Sequence, residues 1–386
     1  MNILFDTRWL KPNPTGVGWY IQELAQELHQ KQKNQEFDKK LANQDKIELT
    51  FLGGDMGKLP AEPKKIKLPL MKKKVYQWLW KTFEWPPLNS LAGKQDLVHF
   101  TNGTAVPHHY DKNIITVHDL TFMEFPEMIE PKNLHFLQKK ASWSLKQASH
   151  IIAVSQDTKK DLQKHFQIPE EKISVIYNGV DRLFLQKPTD EELENVRKKY
   201  QLTSKFFLSV STIEPRKDFG TLIEAYNLLP AAIKNEYQLL IVGGKGWQNE
   251  YKKITDLIHK LKLKEKVKLL GYIDYKDLPI IYRLAQIYIH TSLKEGFGIG
   301  LIQAMASHLP IIASNISCHP EIVKNAGIYF EPQNPQDLQK KIIEMLNKKG
   351  NRQYYVTMGS KIIENYSWKK AAEETLTLYQ KVLTNS

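Results

Sequence analysis

The chain has 386 residues, too many for one hydrophobic core, so two domains of ordinary size are expected. With 41% hydrophobic and 25% charged residues the composition is that of a soluble globular protein, which excludes disordered, collagen-like and coiled-coil classes. A formal net charge of +13 favours anionic partners, and a single cysteine, Cys318, excludes an internal disulfide and a cysteine metal cluster and fits a reducing, cytoplasmic compartment.

The first ten residues alternate apolar and charged side chains, so no secretory signal is expected there. No apolar run approaches the roughly 18 residues that a spanning helix needs. Residues 2–5 predict a strand that runs into Asp6 and a Pro/Gly loop over 11–18, after which Ile21, Leu24 and Leu28 fall at helical spacing. Strand, glycine loop and amphipathic helix open a βαβ unit, and apolar strands over 97–100, 114–117 and 151–154 extend it into a parallel sheet.

The segment that opens at Lys58 and closes at Trp85 carries seven lysines before Tyr76, then Tyr76, Trp78, Trp80, Phe83 and Trp85. Pro60, Pro63 and Pro69 prevent one continuous helix through its lysine part. Two readings fit it equally. Lysines with interfacial aromatics suit an anionic bilayer surface, whereas a helix over 76–83 could pack its aromatics into the first domain and leave the lysines in a solvated loop.

A charged stretch over 186–200 precedes a second start: strand 206–210, loop 211–218, helix 219–229. Further strands over 239–242, 267–270, 287–290 and 311–313 alternate with helical segments, so the second half is also doubly wound. The expected fold class is α/β, with two doubly wound domains facing a central cleft where ligands of such sheets bind. The first domain is placed at residues 1–183 and the second at 184–366. A final helix from about Trp368, within 367–386, is expected to pack toward the first domain.

Glu214-Pro215-Arg216-Lys217 lies directly after the first strand of the second domain and brings two cations to the carboxyl edge of its sheet. A diphosphate suits them, since Arg offers a planar fork, Lys a compact point charge, and the helix that follows its positive end. The plain alternative is a solvated loop pair. Lys294-Glu295-Gly296-Phe297-Gly298-Ile299-Gly300 stands between a strand and a helix. Its glycines allow close backbone approach, helix-start amides can hold phosphate oxygens, and Glu295 can accept hydrogen bonds from sugar hydroxyls; a structural turn is the alternative. His118, followed by Asp119, sits at a strand end on the cleft side of the first domain. Gly16-Val17-Gly18, with Thr15 and Arg8 near it, is a weaker glycine signal.

These loops, together with Asn178-Gly179-Val180-Asp181 and Gly271-Tyr272, occur in the order seen in family 4 glycosyltransferases, which the chain resembles over nearly its whole length. His118-Asp119-Leu120, Val154-Ser155 and Ser367-Trp368 resemble the branch rich in bacterial mannosyltransferases of surface polysaccharide and lipopolysaccharide assembly. The resemblance implies the GT-B fold, an N-terminal acceptor domain and a C-terminal donor domain. It implies that Lys217 and Arg216 bind the donor diphosphate, that Glu295 contacts the transferred sugar, and that Phe297, Gly298 and Ile299 present backbone amides. It places His118 beside the donor sugar, Gly271 and Tyr272 at the nucleobase, and Gly16 and Gly18 at the acceptor or phosphates. The family's second glutamate is Gln303 here, a neutral acceptor in place of a charged one, so a weaker ribose grip is expected.

No Asp-x-Asp pair or histidine cluster marks a metal site, so no metal and no cofactor is expected beyond the nucleotide sugar as substrate. The implied reaction moves a hexose, with mannose from GDP-mannose as the leading donor, onto a glycan or polyprenyl-linked acceptor of the cell envelope with retention. The same fold also admits a nucleotide-sugar epimerase or a non-catalytic sugar-nucleotide binder. A nucleic-acid binder is disfavoured because the lysines cluster in one proline-interrupted stretch and no nucleic-acid module is present. Cytoplasmic location, with peripheral contact at the inner membrane face through the basic aromatic segment, completes the expectation.

Overall fold

The computed structural model describes residues 1–11, 16–37, 47–53, 64–66, 79–80, 85–129, 131–202, 205–347 and 349–384. They form two compact units, Met1–Gly179 with Ser367–Ser386, and Val180–Tyr366.

The first unit holds β1 (Asn2–Asp6), β2 (Glu48–Leu52), β3 (Lys64–Ile66), β4 (Leu97–Phe100), β5 (Asn113–Val117), β6 (His150–Ala153) and β7 (Ile173–Val175), all parallel in the order β3-β2-β1-β4-β5-β6-β7. Alternation along β1 sorts its side chains between two layers, as the two-residue period of a strand requires. Ile3 and Phe5 join Tyr20, Ile21, Leu24 and Leu28 of the helix Gly16–Phe37 and Trp368, Leu378 and Tyr379 of the helix Trp368–Thr384. Leu4 faces the other way, with Val98, Phe100, Ile115, Val117 and Leu145. Burial on both faces explains why β4, β5 and β6 read as mainly apolar runs, interrupted by His99, Thr116 and His150, rather than as alternating ones.

Gly179 belongs to this packing. A β-carbon there would lie 2.1 Å from the Trp368 amide nitrogen, so only glycine lets the last helix begin where it does.

The second unit holds β8 (Lys205–Val210), β9 (Tyr237–Val242), β10 (Val267–Gly271), β11 (Ile287–His290), β12 (Ile311–Ser314) and β13 (Gly327–Phe330), parallel in the order β10-β9-β8-β11-β12-β13. Phe207, Leu239, Ile241, Ile287, Ile289 and Ile312 supply one face of its core, covered by Leu222, Ile223 and Tyr226 of the helix Phe219–Leu228 and by Leu338 and Ile342. The charged stretch over 186–200 is an element of this unit rather than a spacer. Thr189 and Glu192 form a capping box at the start of the helix Asp190–Lys199, and Lys199 and Tyr200 bond Asp277 at 2.7 and 2.9 Å. Among the described residues no helix is long and apolar enough to cross a membrane.

Candidate active site

In the second unit β8 lies between β9 and β11, so the connections leaving β8 and β11 diverge and open a crevice at the carboxyl ends of those two strands. The loop after β8 is held by the Ser211 amide on the Val242 carbonyl at 2.9 Å and the Ile213 amide on the Gly244 carbonyl at 3.1 Å. This approach demands glycine: a β-carbon on Gly243, at φ +149°, would stand 1.9 Å from the Ser211 carbonyl oxygen. The loop ends in the 3-10 turn Pro215–Lys217 and in Asp218, whose side chain caps Thr221 of the next helix at 3.4 Å.

The loop after β11 is sewn to it through the backbone. The Leu293 amide donates to the Arg216 carbonyl at 2.8 Å, and the Thr291 hydroxyl to the Lys217 carbonyl at 2.7 Å. The two cations thereby meet Glu295. Arg216 Nη1 lies 3.1 Å from Glu295 Oε2 and 3.0 Å from the Lys294 carbonyl, while its Nε donates to Glu214 at 3.0 Å. Lys217 Nζ pairs with Glu295 Oε1, which also accepts from Ser292 Oγ at 2.9 Å and faces His290 Nε2 at 3.4 Å. Ser317 Oγ donates to the Glu295 carbonyl at 2.8 Å and accepts from its amide at 3.3 Å, fixing the backbone below the carboxylate.

Burial pushes the Glu295 carboxyl up, but the charges of Lys217 and Arg216 and the His290 contact outweigh it and hold the group well below the usual carboxylate range. The site is therefore a carboxylate held by two cations, able to bind a polyanion through the cations and hydroxyls through the carboxylate. Sequence reasoning named Arg216, Lys217 and Glu295 but missed Ser292, Ser317 and His290. The position of His290 at a strand end, like that of His118, was the available signal.

The helix Ile299–Ala306 starts from Gly298, in the left-handed region at φ 78°. Its first amides have no intrahelical acceptor, as at any helix start, and its positive end favours an anion. Phe297 is buried edge-on against Tyr366 at 5.6 Å, so its side chain is core and ligand contact would fall to the backbone. Gly300 is sterically obligatory, since a β-carbon would stand 2.1 Å from the Tyr288 hydroxyl. Gln303 is buried, with Oε1 accepting from Tyr282 at 3.2 Å. Gly271 ends β10 at φ 68°, and Tyr272 beside it is 65% exposed.

In the first unit His118 follows β5, and its Nε2 lies 2.8 Å from the Thr101 carbonyl. A carbonyl only accepts, so Nε2 carries the proton and Nδ1 the lone pair. Burial lowers the pKa of His118, opposed by the Thr101 contact and Asp119. Its ring stands edge-on to Tyr20 at 4.7 Å. Tyr20 begins a buried chain: its hydroxyl lies 2.8 Å from Thr116 Oγ1, which lies 2.7 Å from His99 Nε2, whose Nδ1 lies 2.6 Å from the Tyr379 hydroxyl.

Gly16 and Gly18 both fall in the first turn of the helix Gly16–Phe37 rather than in the loop expected over 11–18. Arg8 is clamped to buried Asp6 at 2.8 and 2.6 Å, and Thr15 lies outside the described residues. Of the basic aromatic segment, Lys58, Tyr76, Trp78 and Phe83 also lie outside them. Trp80 is buried and donates to the Pro86 carbonyl at 2.8 Å, and Trp85 is 61% exposed. Among the described residues Glu124, Asp161 and His165 bring metal-ligand atoms within 4.8 Å of one another, with Glu124 paired to Lys164 at 2.8 Å.

Residues 14–182 match the family model described as Glycosyltransferase Family 4, and residues 190–362 that described as Glycosyl transferases group 1. The chain is similar to the O-antigen chain mannosyltransferase B of Escherichia coli, at 26% identity over 292 residues, 75% of this chain and 76% of that protein. It is similar to the O-antigen chain mannosyltransferase RfbU of Salmonella typhimurium, at 32% identity over 231 residues, 59% of each chain. In fold it is similar to Anabaena Alr3699/HepE, solved in complex with UDP-glucose, at a TM-score of 0.68 and 20% identity over 97% of this chain and 99% of that one.

Proposed function

This chain belongs to the family 4 glycosyltransferases, with the GT-B fold, and we propose that within that family it transfers mannose from GDP-mannose to a lipid-linked or polysaccharide acceptor of the cell envelope, retaining the anomeric configuration. The observation that carries this reading is the convergence of Arg216 and Lys217 on Glu295 at the β8/β11 switch point. The names of two relatives, both O-antigen mannosyltransferases, favour mannose over other hexoses.

In this reading the second unit takes the donor and the first unit the acceptor. Arg216, Lys217 and the amides at the start of the helix Ile299–Ala306 meet the diphosphate charge without a metal, which is electrostatic stabilisation of the departing group. Glu295 accepts from a sugar hydroxyl, and His118 offers Nδ1 to the substrate. The acceptor oxygen bonds to the anomeric carbon as the bond to the β-phosphate breaks on the same face, and the acceptor proton passes to the leaving phosphate oxygen. The products are the glycoside and GDP. The basic aromatic segment would hold the enzyme peripherally at an anionic bilayer near a lipid-linked acceptor.

Incubation with GDP-mannose, chelator and lipid-linked glycan acceptors tests the reading. GDP release coupled to an α-mannoside product is expected. Conversion of the donor to a sugar isomer in the absence of acceptor would replace it with an epimerase.

A further inference from the structure

Donor groups of two kinds surround the Glu295 carboxylate. Arg216 and Lys217 are cations that a diphosphate would draw to itself. Ser292 and His290 are neutral and approach Glu295 Oε1 at 2.9 and 3.4 Å. A carboxylate 13% exposed that surrendered both cations to a ligand would face the cost of an unpaired buried charge and lose what fixes its rotamer. The neutral donors carry no charge to draw them to phosphate, so they can hold the carboxylate while the cations change partner.

His290 is built for that. It is the last residue of β11, and its side chain is 5% exposed. Its Nδ1 lies 3.2 Å from the Tyr288 hydroxyl, with the two rings stacked at 5.9 Å. Its other side meets His319 edge-on at 4.8 Å, and His319 is itself fixed by Ser314 Oγ at 3.0 Å from Nδ1. With Nδ1 accepting from Tyr288, the proton resides on Nε2, the nitrogen that faces Glu295. The same tyrosine hydroxyl would be struck by a β-carbon on Gly300, so one side chain underlies both the helix start and the histidine that faces the carboxylate.

We infer that His290 is a positioning residue, fixed by Tyr288, that keeps the Glu295 carboxylate aimed at the donor sugar when the diphosphate takes Arg216 and Lys217. The inference rests on the donor-binding role proposed above for Arg216, Lys217 and Glu295. Burial lowers the His290 pKa, so the ring is neutral, as a fixed Nε2 donor beside phosphate should be.

The test needs no acceptor. Calorimetry measures, for the full chain, the affinity for GDP and for GDP-mannose; their ratio reads the grip on the sugar. Wild type should favour GDP-mannose. His290→Phe should leave GDP affinity within about twofold and lower the ratio by about tenfold, the worth of one hydrogen bond to a charged group. His290→Gln, which returns an amide donor near the position of Nε2, should restore most of the ratio. Tyr288→Phe, which keeps the ring, should lower it in the same direction, and it serves if His290→Phe does not fold. An unchanged ratio in both the Phe and Tyr288 variants, or an equal loss in His290→Gln and His290→Phe, overturns the positioning role. Failure of wild type to bind either GDP or UDP would instead refute the donor-binding reading itself.

Discussion

Lys217 and Glu295 form an ion pair between the loops that leave β8 and β11, their side chains only 8% and 13% exposed. Seventy-eight residues separate them in sequence, and the parallel sheet brings them together. Removing Lys217 leaves the buried carboxylate to Arg216 alone of the two cations, and removing Glu295 leaves the buried ammonium without its carboxylate, so either single loss costs more than its share of the double loss.

Lys217→Ala should therefore destabilise the second unit by about 3 kcal/mol, and Lys217→Ala with Glu295→Ala by less than the sum of the single changes. Urea unfolding of the two single variants and the double variant gives the coupling. Additive losses would mean that the pair makes no net interaction.

Glu295→Gln keeps the shape of the side chain and removes its charge. Turnover should fall by about a hundredfold, because a charge-assisted contact to the sugar is lost where it acts in the transition state. Initial rates of GDP release at saturating GDP-mannose report it, and a rate within a few-fold of wild type would remove Glu295 from the sugar site.

Gly300→Ala places a methyl group 2.1 Å from the Tyr288 hydroxyl. A loss of about 1–3 kcal/mol is expected from this overpacking, read by urea unfolding, and Tyr288→Phe in the same chain should recover part of it. No recovery would mean that the strain is relieved elsewhere along the helix Ile299–Ala306.

Each unit also carries a histidine whose pKa burial pulls down to about 3, His99 in the first and His319 in the second. An unfolded histidine titrates near 6.5, so below that pH the unfolded chain binds protons that the folded chain refuses. The stabilising contribution of these groups is complete above about pH 6.5 and is lost as pH falls toward about 3, with a limiting slope of about 1.4 kcal/mol per pH unit for each. Urea midpoints at pH 7 and pH 5 should differ accordingly, and His99→Gln should reduce the loss for the first unit, where half-buried His108 and buried His150, lowered to about 4, also contribute. Stability independent of pH across that window would contradict the burial of both rings.

Gln303→Glu restores the carboxylate of the family pattern, with Tyr282 still able to donate to it. GDP affinity should rise about fivefold, by charge assistance to the ribose contact. Unchanged affinity by calorimetry would show that the nucleoside is not gripped at this position.

The apolar runs over 97–100 and 287–290 announced β4 and β11, and Ser367-Trp368 announced the last helix, because those strands are buried on both faces and Trp368 opens an amphipathic pattern. β2, β3, β7 and β13 escaped notice for the opposite reason, β3 being the three residues Lys64–Ile66 inside the lysine-rich segment. Glu48–Leu52 carries a glutamate and a threonine, Ile173–Val175 has three residues, and Gly327–Phe330 opens on glycine, so pairing to neighbours rather than local pattern makes them strands. In the site the motif residues were legible because they sit in loops directly after strands. The contacts of Glu295 with Ser317 and of Gln303 with Tyr282 were not, since they arise only when separate loops and helices fold together. The inclusion of Gly16 and Gly18 in the first helix and the engagement of Arg8 with Asp6 were likewise not legible in the local pattern.

Isothermal titration of the wild-type chain with GDP-mannose, beside GDP and UDP-glucose, addresses the central claim most directly, because a folded donor site must bind its donor before any acceptor is known. The account predicts saturable binding of GDP-mannose, tighter than that of GDP or UDP-glucose, and abolished in Lys217→Ala. Tighter binding of UDP-glucose would contradict mannose as the transferred sugar, and no saturable binding of either nucleotide sugar would contradict the donor site built on Arg216, Lys217 and Glu295.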